Sequence, residues 1–240
     1  MTKMVRNRTL LVTNLLTPLV FLLFFSQLLQ KLAIFPGVSG SYLAYLTPGI
    51  IVMTGVLVAP QSGMSIVNDL NSGFLQKLLS TRVSRPAILL GRLIADVLMM
   101  LIQAIIIIVL AMLMGVTIVT GLSGTLLILV TVVFFGLAWS GLFLAVGMRT
   151  RKPETLSSVA SFVGFLLLFV STAMFPVAIM PSWAQTVSDF NPVSYASNVA
   201  RSLIQGGLTW SMFASAYAVI GLMAIVTFAA ALYQFRKVTS

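Results

Sequence analysis

Four carboxylates, Asp69, Asp96, Glu154 and Asp189, are the whole acidic complement of this 240-residue chain, and it has no histidine and no cysteine. That inventory excludes a thiolate or imidazole metal site, a disulfide framework and a histidine-centred triad. The acids are scattered, so an intramembrane enzyme would lack a catalytic set. Asp96 is the one acid set deep in an apolar run. About nine residues past Ala87, at ~1.5 Å each, place it about 14 Å into a ~30 Å hydrocarbon core. Arg92 lies one turn earlier on the same helical face. One reading is a local ion pair, with Arg92 snorkelling toward the interface. The other is that Asp96 faces the interior of an assembly, because intramembrane charges rarely face lipid. Gln103, two turns further on, would extend a polar stripe. Gln61, Ser62 and Ser65 cluster in the preceding apolar run. Gln61, Asp96 and Gln103 are the candidates for lining a translocation path.

The elements that must position these residues follow from composition. The chain is 59% hydrophobic and 8% charged, with a mean hydropathy of +1.10; soluble domains carry roughly 25% charged residues. A polytopic all-α membrane protein is expected. Six apolar stretches are long enough to span a bilayer, at about 15–32, 45–67, 87–114, 125–148, 156–179 and 208–235. They make a single transmembrane domain over 1–240, with no internal repeat and no soluble domain. Three basic residues followed by an apolar run imitate a signal peptide, but further spans follow, so the first is read as retained.

The net charge of +10 does not point to nucleic acid, because the basic residues form no patch. Lys3, Arg6, Arg8, Lys77, Arg82, Arg85, Arg92, Arg149, Arg151, Lys152, Arg236 and Lys237 fall on one side of the six-span layout, and Lys31 and Arg201 on the other. Such a bias is a strong positive-inside signal and predicts cytoplasmic N and C termini.

The long polar interruption is "NDLNSGFLQKLLSTRVSRPAILLGR" at 68–92. Phe74, Leu75, Leu78 and Leu79 share one face of a short helix, with Gln76, Lys77 and Ser80 opposite. Asn71 or Ser72 suits its N-cap, and Asp69 its positive end. Two turns are marginal alone in water, so the helix must rest on headgroups or on a protein. Pro86 fits the first turn of the next helix, and Arg82 and Arg85 can reach lipid phosphates. On the other side, "MPSWAQTVSDFNPVSY" (180–195) alternates apolar and polar residues with Pro181 and Pro192 as breakers. It reads as a loop dipping back into the interface, anchored by Trp183 and Tyr195. Ser157, Ser158, Ser161 and Gly164 suit close helix packing in the fifth span.

"YLTPGIIVM" (45–53), "NDLNSGFLQKLLSTRVSRPAILLGRLIADV" (68–97) and "FNPVSYASNVARSLIQGG" (190–207), in this order, resemble the permeases of ABC-2 type exporters, most nearly the daunorubicin-resistance branch of drug and antibiotic efflux proteins. The resemblance implies a permease subunit that is not itself an enzyme. It would work as a homodimer or heterodimer with two copies of a separate cytoplasmic ABC ATPase. It implies a coupling helix at 71–80, with Asn71, Gly73, Phe74, Leu75, Lys77 and Leu78 at the ATPase contact. It implies a re-entrant outer element with Asn191, Pro192 and Arg201 as gate positions. The family usually places an acid just before the coupling glycine; here Asn71 and Ser72 precede Gly73 and the acid is Asp69. No G-x-x-x-x-G-K-[ST] loop is present in the chain, so ATP and Mg are expected on the partner and no cofactor here. A separate permease of this type implies a bacterial or archaeal inner membrane, contact with membrane lipid, and an amphiphilic, drug-like or lipid-like cargo that mostly apolar walls would suit. The alternatives are an ion-coupled secondary transporter or channel using Asp96, and a non-transporting assembly factor.

Overall fold

Long runs of Leu, Ile, Val, Ala and Met with few interior breakers fold as helices, since in hydrocarbon every backbone N–H and C=O must pair within its own segment. The computed structural model describes residues 8–31, 41–81 and 83–239, and these residues hold helices and no strand. In chain order they are α1 (Arg8–Lys31), α2 (Tyr42–Asn71), α3 (Phe74–Leu79), α4 (Arg85–Leu113), α5 (Gly121–Thr150), α6 (Pro153–Phe169), a 3-10 turn (Val177–Ile179), α7 (Ser182–Phe190), α8 (Pro192–Gln205) and α9 (Trp210–Thr239). Four of them, α2, α4, α5 and α9, are long and apolar enough to cross a membrane, while Leu15–Leu28 within α1 and all of α6 are shorter apolar stretches. Residue 32 of the first expected span, Lys3, Arg6 and Arg82 lie outside the described residues.

α2 is the hub. It packs against α1, α4, α5, α6 and α8, and most of its length is buried. The approach to α5 is close because both helices present glycine at the crossing. A methyl at Gly63 would overlap the Phe143 carbonyl, and one at Gly147 would lie 2.8 Å from the Gly63 carbonyl oxygen. Small residues let helix backbones meet where lipid gives no hydrophobic drive for association. Phe135 stacks on Trp139, which meets Phe143 edge to face, and all three rings of α5 are among the largest fully buried side chains. α4 shows the complementary pattern: Leu90, Ile94, Leu98, Ile102, Ile105 and Val109 are exposed along one stripe, the spacing of a lipid-facing surface.

The fifth apolar stretch does not span 156–179 as one helix. α6 stops at Phe169, and residues 170–176 run on without helix into the 3-10 turn. The carbonyls released there are taken by side chains from elsewhere: the Tyr42 hydroxyl donates to Met174 O at 2.9 Å and the Tyr45 hydroxyl to Thr172 O at 3.0 Å. The expected packing face of α6 is corrected too. Leu156, Ala160, Gly164 and Leu168 form its buried stripe, while Ser158 and Ser161 are exposed. Four-residue spacing picks out that stripe, and the serines fall beside it.

Candidate functional site

At the Asn71 end of α2 the chain turns through Ser72 and Gly73 into α3. Gly73 occupies the left-handed region at φ 71°, where a Cβ would be strained, and its side of the helix has no side-chain cap. The expected caps are corrected: Asn71 is the last residue of α2 and Ser72 its C-cap. Leu75 is 1% exposed and Leu78 and Leu79 are half-buried against the main core, whereas Phe74 is 53% exposed beside exposed Gln76 and Lys77. The face predicted to be one surface is therefore split. Leu75 belongs to the fold and cannot reach a partner's groove, because it is spent on seating α3 against its own bundle. Phe74, Gln76 and Lys77 make the outward surface.

The pairing of Arg92 is corrected as well. Its guanidinium reaches across to α2, with Nη2 on Asp69 Oδ2 and Nη1 donating to Ser65 Oγ at 2.6 Å. Asp69 and Arg92 flank the α3 segment in sequence, so their ion pair closes α2 onto α4 around it. Asp96, only 1% exposed, sits inside the same bundle with Ser62 of α2 and Ser140 of α5 facing its carboxyl. Among the described residues, Asp96 Oδ2, both serine hydroxyls and the whole Gln103 amide lack a hydrogen-bond partner.

The translocation candidates do not converge. Gln61 lines a cleft of about 1100 Å³ between α1, α2 and α6, whose walls include Phe21, Met53, Met64, Ser157, Ser161 and Phe165. Asp96 and Gln103 are buried behind α2 and line no part of it. Gln61 and Ser65, one turn apart on the same face, both line the cleft, Ser65 also accepting from Arg92, whereas Ser62 lies ~100° round from Gln61 and turns to Asp96. The cleft's contribution from α1 and the far end of α6, Thr17 and Phe169, carried no sequence signal beyond apolarity.

At the other end of the bundle, α7 and α8 form a helical hairpin in place of a plain loop. Asn191 holds its corner: Oδ1 accepts from Val193 N at 3.0 Å, and Nδ2 donates to Leu167 O at 2.7 Å and Val170 O at 3.1 Å. One side chain thus caps α8 and satisfies the last carbonyls of α6. Pro192 follows in the first turn of α8, where no N–H is needed. Arg201 ties three elements together. Nε donates to Tyr45 O at 3.3 Å, Nη2 to Thr172 O at 2.6 Å and Nη1 to Asn198 Oδ1 at 2.9 Å. Its guanidinium also lies 3.8 Å from the centre of the Tyr45 ring, within cation–π range. Tyr45, Thr172 and Asn198 were not singled out from sequence; the signal available was an arginine on the side that the charge bias leaves nearly empty. Trp183 is exposed as an anchor would be, but Tyr195 packs against the core.

Apolar spans around one buried hub helix, with a short polar-surfaced helix at one end and a folded hairpin at the other, define a multi-pass membrane protein. Residues 1–205 match the family model of the ABC-2 type transporter. The chain belongs to that family. It is 30% identical over 196 residues, 82% of this chain and 69% of the relative, to the daunorubicin resistance ABC transporter permease protein DrrB1 of Streptomyces coeruleorubidus. It is 31% identical over 204 residues, 82% of this chain and 68% of the relative, to the transport permease ycf38 of Pyropia yezoensis. To the doxorubicin resistance ABC transporter permease protein DrrC of Mycobacterium tuberculosis it is 22% identical over 207 residues, covering 86% and 74%.

Proposed function

We propose that the chain is the membrane subunit of an ATP-driven exporter, coupled through 71–80 to a separate ABC ATPase that carries ATP and Mg. The observation that carries this is the division of labour in α3: Leu75 is buried while Phe74 and Lys77 are left outside. A surface helix seated by one leucine and presenting an aromatic beside a cation has the form of a docking element. Gly73 permits the turn into it, Leu78 helps to seat it, and the Asp69–Arg92 pair links its two flanks. Motion imposed on α3 would pass to α2 and α4 together.

In this reading the six apolar stretches span the membrane, α1 and α6 included, with both termini cytoplasmic in a bacterial or archaeal inner membrane. The permease pairs with a second copy or a homologous permease across the cleft of α1, α2 and α6. The cleft's apolar walls with Gln61 suit an amphiphilic cargo, consistent with relatives named for daunorubicin and doxorubicin resistance. The hairpin held by Asn191, Pro192 and Arg201 closes the outer end. The test is purification of the tagged chain in gentle detergent with mass spectrometry of its companions, wild type against Phe74→Asp. An ATPase with a Walker motif should copurify with wild type and be lost from the variant. Its absence even after cross-linking in intact membranes would end the exporter reading.

A second reading, an ion-coupled transporter, draws on the orphaned polar atoms around Asp96. It predicts gradient-driven flux without ATP that Asp96→Asn abolishes. Burial of Asp96 away from the cleft weighs against it.

A further inference from the structure

A second, smaller recess of about 270 Å³ opens at the hairpin end of the bundle, lined by Tyr45, Thr172, Pro176, Val177, Ala178, Asn198 and Arg201. Two of its polar side chains, Arg201 and Asn198, have more hydrogen-bond donors than the protein acceptors they meet. A guanidinium carries five N–H groups, and three of those on Arg201 go to protein acceptors, leaving two. Asn198 Oδ1 is already occupied by Thr172 Oγ1 at 2.8 Å and by Arg201, so its amide NH₂ supplies further donors. The Tyr45 hydroxyl and the Thr172 carbonyl are engaged with each other. Among the described residues, no acidic side chain lines the recess or bonds to Arg201.

A partly buried cation without a carboxylate is costly to keep, and the Tyr45 ring offsets only part of that cost. Arg201 is also one of two basic residues on the side that the charge bias leaves nearly bare, so membrane topology gives no reason for it. The volume holds an oxyanion and part of the group that bears it, at ~30 Å³ per water-sized unit. Exposed Val177 lines the recess, and Ile179 and Trp183 further along the chain are also exposed, residues suited to a headgroup boundary.

We propose that the recess of Tyr45, Thr172, Asn198 and Arg201 binds one phosphate-class oxyanion, borne by a phospholipid headgroup or by a soluble or cargo molecule. Planar guanidinium recognition of phosphate is strong and directional. The proposal does not depend on the exporter reading, and its test needs no ATPase.

The full chain is purified in neutral detergent and tested in two arms. In the first, it is offered an equimolar mixture of phosphatidylglycerol and monogalactosyldiacylglycerol, a neutral lipid without phosphate, and bound lipid is counted by native mass spectrometry. In the second, thermal unfolding is followed with inorganic phosphate against chloride at equal ionic strength. Wild type should favour phosphatidylglycerol on the order of tenfold, or gain about 2–4 °C in Tm from phosphate. A response in the lipid arm assigns the anion to a headgroup; a response in the phosphate arm alone assigns it to a soluble or cargo-borne group. Arg201→Gln should abolish the response, but it also unties three elements. Ala178→Glu therefore serves as the second variant: Ala178 is exposed on the recess wall, and a carboxylate there occupies the site from within while Arg201 stays. No discrimination in either arm for wild type, or a response that survives Ala178→Glu, would overturn the proposal.

Discussion

Truncating Phe74 and truncating Leu75, neighbours in a six-residue helix, should have opposite consequences. A phenylalanine side chain presents on the order of 200 Å² of surface, and Phe74 keeps 53% of its surface exposed. About 100 Å² is thus available to a partner. At ~25 cal/mol per Å² its burial is worth at most about 2.5 kcal/mol, or roughly 70-fold in affinity. Phe74→Ala should therefore weaken ATPase association by up to that factor while leaving the permease's own unfolding within about 0.5 kcal/mol. Leu75, 1% exposed, has no surface left to offer. Leu75→Ala should cost about 2–5 kcal/mol of stability through lost transfer energy and the cavity left behind. The assay is a titration of the copurifying ATPase onto detergent-solubilised permease, with thermal unfolding of the same samples. The division of α3 into a seated face and a docking face is refuted if Leu75→Ala keeps full stability and loses the ATPase. It is equally refuted if Phe74→Ala binds as tightly as wild type.

Other expectations follow from single contacts. Asp69→Asn and Arg92→Gln should each cost about 1–2 kcal/mol, between an exposed pair and a charge-assisted buried bond, since the two side chains are 27% and 16% exposed; a double-mutant cycle in thermal unfolding should show them coupled. Gly63→Val should destabilise by about 3 kcal/mol or more, because its side chain meets the Phe143 carbonyl and rigid backbone must move; a variant that folds with unchanged Tm would contradict the close crossing. Tyr45→Phe, which loses the bond to Thr172 O and keeps the ring against Arg201, should cost about 1 kcal/mol in unfolding, and Tyr45→Leu more. Asp96→Asn, close in shape and able to donate to Ser62 and Ser140, should preserve ATP-driven transport; its loss together with gradient-driven flux would favour the ion-coupled reading.

Much of the architecture was legible in order and type. A stretch such as 87–114 is helical in hydrocarbon whatever its neighbours, so α2, α4, α5 and α9 could be read from apolar length. The α6 region was misjudged for a physical reason. Residues 170–179 are as apolar as a span, and what lets them leave the helix is a set of distant donors: Asn191 takes the last carbonyls of α6, and Tyr42, Tyr45 and Arg201 take those of Thr172 and Met174 beyond it. Hydropathy does not register a partner 127 residues away.

At the candidate sites the same boundary holds. Amphipathic spacing in 71–80 located a short surface helix but not which apolar residue faces outward, since that depends on where α2 and α4 place its axis. One-turn spacing suggested Arg92 with Asp96, whereas helix packing brought Asp69 nearer and left Asp96 to two serines. By itself the sequence determined a helical membrane protein without histidine or cysteine, its short polar helix and its family likeness, because these depend on composition and local period. Only the tertiary structure decided which side chains meet: the Gly63–Gly147 crossing, the Asp69–Arg92 closure, the cleft on Gln61 and the recess on Arg201. Those contacts join residues far apart in the chain, and their energies exist only once the helices have packed.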